Sequence, residues 1–361
     1  MNVHSYNSKS KPLTFLFILA TFFMIASCAK TKDSTETEDI VESISILDSS
    51  LVRQYANTIT TSELKGHLEI YASDEFEGRR TGTRGQKKAA EYLKQYYIKE
   101  QISSPINDTV YFQQIPASYL PENIGDSENV LAFIEGSEKP EEIVIISAHL
   151  DHVGIIDGEI YNGADDDGSG TVAVLEIAQA FKKAELNGYP PKRSVLFLHI
   201  TGEEIGLYGS RFYSEHPIFP LENTIADLNI DMIGRVDDKH IDNPNYVYLI
   251  GSDRLSEDLH YTSEKVNDTY FNLELDYTFN ALDDENQFYY RSDHYNFAKH
   301  NIPVIFYFNG THADYHKATD TVDKINFKML QKRAQFVFAT AWQLANQPNR
   351  PEINTDIDPD S

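Results

Sequence analysis

Five short stretches of this sequence set carboxylates and imidazoles at spacings that metal or proton chemistry could use. The first is Ala148-His149-Leu150-Asp151-His152. In extended chain, residues two apart face the same side, so the Asp151 carboxylate is expected to hydrogen-bond the His149 imidazole and fix its tautomer. The second is Asn162-Gly163-Ala164-Asp165-Asp166-Asp167-Gly168-Ser169-Gly170, where three consecutive acids between glycines suit a tight loop presenting one carboxylate inward. The third is Thr201-Gly202-Glu203-Glu204, whose adjacent carboxylates project differently, so that one could bind a metal while the other moves a proton. Asp231-Met232-Ile233-Gly234-Arg235 is the fourth, and Asp314-Tyr315-His316 followed by Ala318-Thr319-Asp320-Thr321-Val322-Asp323 is the fifth. Each stretch alone is commonplace. Carboxylate plus imidazole without thiolate, repeated five times, suits a catalytic zinc site.

Such side chains need a scaffold that brings distant segments together. Runs rich in β-branched and aromatic residues predict strands over Asn129–Ile134, Ile143–Ser147, Val195–Ile200, Ile225–Ile230, Tyr246–Ile250 and Pro303–Phe308. Helical spacing predicts helices near Leu64–Tyr71 and over Gly85–Ile98, Thr171–Lys183 and Phe327–Leu344, with Glu77-Gly78-Arg79-Arg80-Thr81-Gly82-Thr83 as a loop. Fully apolar strands such as Ile143-Val144-Ile145-Ile146 suit a sheet covered on both faces. The fold class is therefore α/β, with a central mixed, mostly parallel sheet flanked by helices on both faces. Most of the candidate residues follow directly on strand ends or on the loop opening a helix, where open α/β sheets gather ligands.

The chain has 361 residues, 41% of them hydrophobic, and a net charge of -25. That charge repels phosphate backbones and argues against a nucleic-acid partner. The single cysteine, Cys28, follows a positive start (Lys9, Lys11), an apolar run Leu13–Ala26 and the residues Ile25-Ala26-Ser27. This pattern resembles a bacterial lipobox, which implies a lipoprotein signal peptide over 1–27, lipidation of Cys28 and a cell-envelope location. A flexible tether is expected over 28–50, a single domain over 51–346 and a disordered tail over 347–361. With no other cysteine, neither disulfides nor a thiol nucleophile is expected in the domain.

Taken in order, these residues resemble the secreted bacterial co-catalytic zinc aminopeptidases, the leucyl-aminopeptidase-like metallopeptidases. The resemblance rests on His149-Leu150-Asp151, Gly163-Ala164-Asp165-Asp166-Asp167, Glu203-Glu204-Ile205-Gly206-Leu207-Tyr208-Gly209-Ser210, Asp231-Met232-Ile233-Gly234-Arg235, Ser292-Asp293-His294 and Tyr315-His316. It implies two zinc ions per chain, held by His149 and Asp231 on one side, Glu204 and His316 on the other, with Asp165 between them. Glu203 would be the general base that activates water, Asp151 the partner of His149, and Tyr289, rather than its neighbour Tyr290, the group polarising the scissile carbonyl. His316 is preferred over His312 because Asp320-Thr321-Val322-Asp323 follows it. His152, His199 and His294 are expected to be structural. The implied protein is a zinc-dependent exopeptidase, an aminopeptidase acting as a monomer on peptides with a free N-terminus and touching membrane only through the lipid on Cys28. The alternatives are a glutaminyl cyclase on the same architecture and a non-catalytic surface binding protein. The first usually lacks both the triple-acid loop and the Glu-Glu-x-Gly-Leu-x-Gly-Ser segment, and the second typically loses ligands or the base.

Overall fold

A computed structural model describes residues 37, 39–107 and 109–355. Residues 39–43 are helical and belong to a separate short unit. Everything below concerns the compact unit that begins at Ile44. The expected signal peptide and Cys28 lie outside the described residues.

Among the described residues ten strands form in chain order: β1 Phe112–Ile115, β2 Ser127–Ile134, β3 Lys139–His149, β4 Gly154–Ile156, β5 Glu159–Tyr161, β6 Arg193–Ile200, β7 Thr224–Ile230, β8 Tyr246–Ile250, β9 Glu274–Asp276 and β10 Val304–Phe308. Eight of them make one sheet in the order β1-β2-β6-β3-β7-β10-β8-β9, and β4 and β5 pair as a separate hairpin. The four central strands β6, β3, β7 and β10 run parallel, while β2 and β8 flank them antiparallel. The expected mixed, mostly parallel sheet is therefore the observed one.

The apolar runs divide between two cores. Val144, Ile146 and Ala148 face the larger one, where the helices Ser49–Ala56, Thr61–Tyr71, Arg84–Lys99, Gly170–Leu186 and Phe327–Asn346 pack. Ile143 and Ile145 face the other, with Tyr213 and Phe297 from the helices Tyr208–Glu215 and His294–Ala298. Alternation along β3 thus assigns each residue to a face even where hydropathy is continuous. Because the central strands are parallel, their C-terminal ends lie at one edge of the sheet. His149 ends β3, Glu203 and Glu204 follow β6, Asp231 follows β7, and the loop bearing His312 and His316 follows β10.

Both ends of the domain differ from expectation. The chain is packed before residue 51: Ile46 lies against the core, Leu47 N–H donates to Gln343 Oε1 at 3.2 Å, and Asp48 caps the helix Ser49–Ala56. At the other end, Pro351 is buried, Ser256 Oγ donates to the Glu352 carbonyl at 2.6 Å, and Asn354 N–H donates to the Leu255 carbonyl at 2.9 Å. Backbone hydrogen bonds hold this tail without any apolar periodicity to announce it. Residues 356–361 lie outside the described part. No helix among the described residues is long and apolar enough to cross a membrane.

Candidate metal centre

The three consecutive acids separate into three tasks. Asp165 turns back into the fold: its Oδ1 accepts the Gly234 N–H at 2.7 Å, and its Oδ2 lies 3.1 Å from His312 Nε2. A Cβ at position 234 would stand 2.8 Å from that Oδ1, so glycine is needed there for the approach. Asp167 ties together three segments. Its Oδ1 accepts from Gly170 N at 2.9 Å and Met232 N at 3.0 Å, and its Oδ2 from His149 N at 3.2 Å. Asp166, between them, points into the cluster, with Oδ1 3.2 Å from His149 Nε2 and Oδ2 3.0 Å from His316 Nε2. Asp320 fixes the loop itself, its Oδ2 accepting from the backbone N–H groups of Asp165 at 2.9 Å and Asp166 at 3.1 Å. The expectation that Asp165 stands between the two ligand pairs is thus corrected: Asp166 takes that place. Once Gly234 and His312 claim the first carboxylate, the second is the one left to face the cavity.

Around Asp166 the remaining groups converge. Asp231 Oδ1 lies 3.6 Å from His149 Nε2. Glu204 Oε2 is 3.1 Å from His316 Nε2, and Glu204 Oε1 is 2.6 Å from His152 Nδ1. His149, Asp166 and Asp231 form one group able to hold a cation, and His152, Asp166 and Glu204 form a second. His152 therefore joins the cluster, contrary to the expectation that it is structural. It stands three residues after His149, beyond the end of β3, where strand alternation no longer predicts which way a side chain points. His312 is removed from the cluster by its contact with Asp165. His199 and His294 stay apart: His199 Nε2 meets the Tyr97 hydroxyl at 2.7 Å, His294 stacks on Phe306, and burial drags both imidazoles down to about 3.

Two further expectations are adjusted. His149 Nδ1 lies 3.1 Å from the backbone carbonyl of Asp151 but 3.9 Å from its carboxylate, so the carbonyl fixes the ring. The Asp151 carboxylate instead accepts from the Thr81 hydroxyl at 2.5 Å and from Glu203 N–H at 3.2 Å, which orients the turn carrying the candidate base. Tyr289 is buried beneath the Arg254 guanidinium, 3.8 Å from its ring, whereas Tyr290 faces the cavity. The short helical turn Phe288–Tyr290 rotates successive side chains by roughly a third of a turn, so only one tyrosine of the pair faces inward.

Arg79, buried in the predicted loop, was not anticipated as a clamp. It donates to the carbonyls of Leu150 at 3.2 Å, Asn162 at 2.5 Å and Gly163 at 2.9 Å, joining the end of β3 to the entrance of the acidic loop. Another support runs behind Asp231. Ser292 Oγ donates to Asp231 Oδ2 at 2.7 Å, and Asn229 Nδ2 donates to Ser292 Oγ at 2.9 Å. Ser147 Oγ sits 3.0 Å from Asn229 Oδ1 and 2.7 Å from Asp227 Oδ1. A hydroxyl carries one proton, so Ser147 donates to Asn229 only if Asp227 is the protonated donor to Ser147. Burial, which pushes Asp227 up to about 8, agrees with that count.

A cavity of about 400 Å³ opens over the cluster, lined by Asp166, Glu203, Glu204 and Asp231 on one side and by Phe288, Tyr290, Phe306 and Phe308 on another. Burial raises the Glu203 carboxyl well above the usual range, with Glu204, Asp231 and Asp293 adding to the shift and His149 opposing it. Burial opposes ionisation of Asp166 too, but His152, His149 and His316 hold it well below the usual range. His316 rises to about 10 against its own burial, through its bonds to Asp166 and Glu204. The donor set fits a metal. His152 Nε2 is buried with no partner among the described residues, and His149 Nε2, His152 Nδ1, Asp166 Oδ2 and Glu204 Oε1 are buried with only the cluster's own imidazoles and carboxylates in reach. Imidazoles and carboxylates buried against one another in this way, away from water, are costly unless something coordinates them.

An α/β sheet gathers imidazoles and carboxylates at the C-terminal edge of its parallel strands, an arrangement suited to holding metal ions. Residues 129–341 match the model of peptidase family M28, and the chain belongs to that family. Over 116 residues it is 36% identical to the probable glutamate carboxypeptidase LAMP1 of Arabidopsis thaliana, a match covering 32% of this chain and 16% of that protein. The matches span about a third or less of the first curated relatives. Among solved structures, the LapA aminopeptidase of Legionella pneumophila aligns with TM-score 0.66 and 20% identity over 85% of this chain and 77% of its own. The glutaminyl cyclase of Bacteroides thetaiotaomicron aligns with TM-score 0.59 and 16% identity over 79% and 98%. At such identities the likeness concerns the fold, which different activities share.

Proposed function

We propose that this chain is a zinc-dependent exopeptidase, an aminopeptidase that hydrolyses N-terminal residues from peptides at a pair of zinc ions sharing Asp166. The observation that carries the reading is the convergence on Asp166 of two groups of buried imidazoles and carboxylates, each able to hold a cation. His149, Asp166 and Asp231 would hold one ion; Asp166, Glu204 and His316 would hold the other. Zinc supplies Lewis acidity there, polarising a peptide carbonyl and acidifying water.

The remaining work falls to the chain. Glu203 stands on the cavity wall, 4.0 Å from His149 Nε2, on a turn fixed by its own N–H bond to Asp151. Its raised affinity for protons suits a group that takes one from water and returns it to the leaving amine. The Ser292 hydroxyl and the backbone anchors of Asp167 and Asp320 hold the ligands in place. Tyr290, on the cavity wall, replaces Tyr289 as the tyrosine able to meet a substrate. The acidic side of the cavity favours a cationic α-amine, which supports exopeptidase over internal cleavage. A lipoprotein anchored in the cell envelope through Cys28 remains the reading of the N-terminal segment.

The test is a panel of aminoacyl-anilides and N-terminal glutaminyl peptides, with and without chelator. Chelator-sensitive release of the N-terminal residue is expected, and N-acetylated peptides should resist. Glutamine cyclisation without peptide cleavage would overturn the reading in favour of a cyclase.

A further inference from the structure

The cavity over the metal-type cluster is acidic on one side and aromatic on the other, and one strong cation stands among its lining residues, Arg291. Neighbouring guanidinium groups are committed. Arg235 pairs with Asp314 at 2.9 Å, and Arg254 donates to the Asn280 carbonyl at 3.1 Å while lying over Tyr289. The Arg291 guanidinium has no hydrogen bond or ion pair among the described residues. Its one defined contact is the Phe288 ring, 4.8 Å away. A guanidinium resting on an aromatic face keeps its N–H edge free for a planar, two-oxygen acceptor. The chain carries 56 acidic against 31 basic residues and four acids line this cavity, so Arg291 is a place in the lining where a substrate carboxylate meets attraction.

We propose that Arg291 binds a substrate carboxylate, making peptides that carry a carboxylate next to the scissile bond the preferred substrates. The inference rests on the peptidase reading and gives it a substrate class. The carboxylate can come from an aspartate or glutamate side chain or from the C-terminus of a very short peptide. Both present the same two-oxygen acceptor, and Arg291 would receive either through paired N–H donors. The aromatic wall of Phe288, Phe306 and Phe308 packs the apolar part of the same residue.

Two matched substrate pairs separate the sources: glutamyl against glutaminyl peptides, and dipeptides with free against amidated C-termini. Each is assayed with the metal-loaded wild type, Arg291→Gln and Arg291→Lys. The expected result is a preference of about tenfold or more in kcat/KM for the charged member of at least one pair. Arg291→Gln should erase it and Arg291→Lys restore part of it, since lysine keeps the charge but not the fork. Indifference of the wild type to both pairs, or a preference that survives Arg291→Gln, would overturn the proposal while leaving the peptidase reading intact. Should no peptide be cleaved at all, the peptidase reading falls, and calorimetric binding of free glutamate and glutamine decides for Arg291. A glutamate preference lost in Arg291→Gln supports it, and equal binding by the wild type overturns it.

Discussion

The hydroxyl of Ser292 donates to Oδ2 of Asp231 at 2.7 Å, which leaves Oδ1 of the same carboxylate turned towards His149. One oxygen is held so that the other can ligate. Ser292→Ala should therefore fold normally but bind its metal about 10–100-fold more weakly, as is usual when an outer partner of a ligand is removed. Competition with a chromogenic chelator measures this directly. Unchanged affinity would show that Asp231 is fixed by something other than Ser292.

Behind Ser292 the chain of hydrogen bonds ends on a neutral Asp227, and that has a consequence for stability. A carboxyl with an ordinary value of 3.8 that rises to about 8 on folding stabilises the fold fully below about pH 4. Its contribution is lost as pH climbs through about 8, because the unfolded chain ionises freely and the folded one resists. Asp227→Asn keeps a donor to Ser147 without a titratable proton. Between pH 5 and pH 8 the wild type should lose more thermal stability than Asp227→Asn, as seen by Tm across that range. Parallel curves would mean that Asp227 is ionised in the fold.

Glu203→Gln separates the proposed proton carrier from the proposed metal ligands. The amide occupies the same space but cannot accept and return a proton, so turnover should fall by about 10²–10⁴-fold. Metal content, read by atomic emission, should stay at the wild-type level. Retained activity would remove Glu203 from the reaction.

Much of this was legible because strands and ligands announce themselves together. The apolar runs that became β3, β6, β7 and β10 end directly at His149, Glu203, Asp231 and the His316 loop, so sheet topology alone gathers them. What sequence could not resolve was phase within irregular backbone. Asp165 and Asp166 are equally acidic neighbours, and only the capture of Asp165 by Gly234 N–H and His312 settles which one faces the cavity. The Tyr289 and Tyr290 pair poses the same one-residue problem in a short turn. Arg79 and Asp320 act through backbone groups of distant loops, and no spacing rule marks such partners. The strands β1 and β9, of 4 and 3 residues, sit at the sheet edges, where little apolar patterning is required.

The reassignment from Asp165 to Asp166 is itself testable. Asp166→Asn removes a charge from both candidate cation positions, so metal content should drop to half the wild-type level or less. Asp165→Asn keeps an oxygen for Gly234 N–H and should keep the metal, at a stability cost of about 1–2 kcal/mol for the disturbed His312 contact. Atomic emission on dialysed protein gives the metal content, and thermal melts give the stability. The reverse pattern would return the central role to Asp165.

Two imidazoles flank the second candidate cation position, and their surroundings separate them. His152 is fully buried with Nδ1 2.6 Å from Glu204 Oε1, whereas His316 lines the cavity with Nε2 3.1 Å from Glu204 Oε2. Glu204 is thus gripped on one oxygen by each ring, and bonds from both draw its carboxyl below the usual range against its burial. If His316 ligates while His152 orients Glu204, His316→Ala should remove one ion outright. His152→Ala should instead weaken binding of that ion by about 10–100-fold while leaving the site capable of filling at high zinc. Because His316 rises to about 10 in the metal-free site, its ligation must displace a proton. Calorimetry in buffers of different ionisation enthalpy should register proton release for the wild type and less of it for His316→Ala. An ion lost irretrievably in His152→Ala but retained in His316→Ala would exchange the two roles.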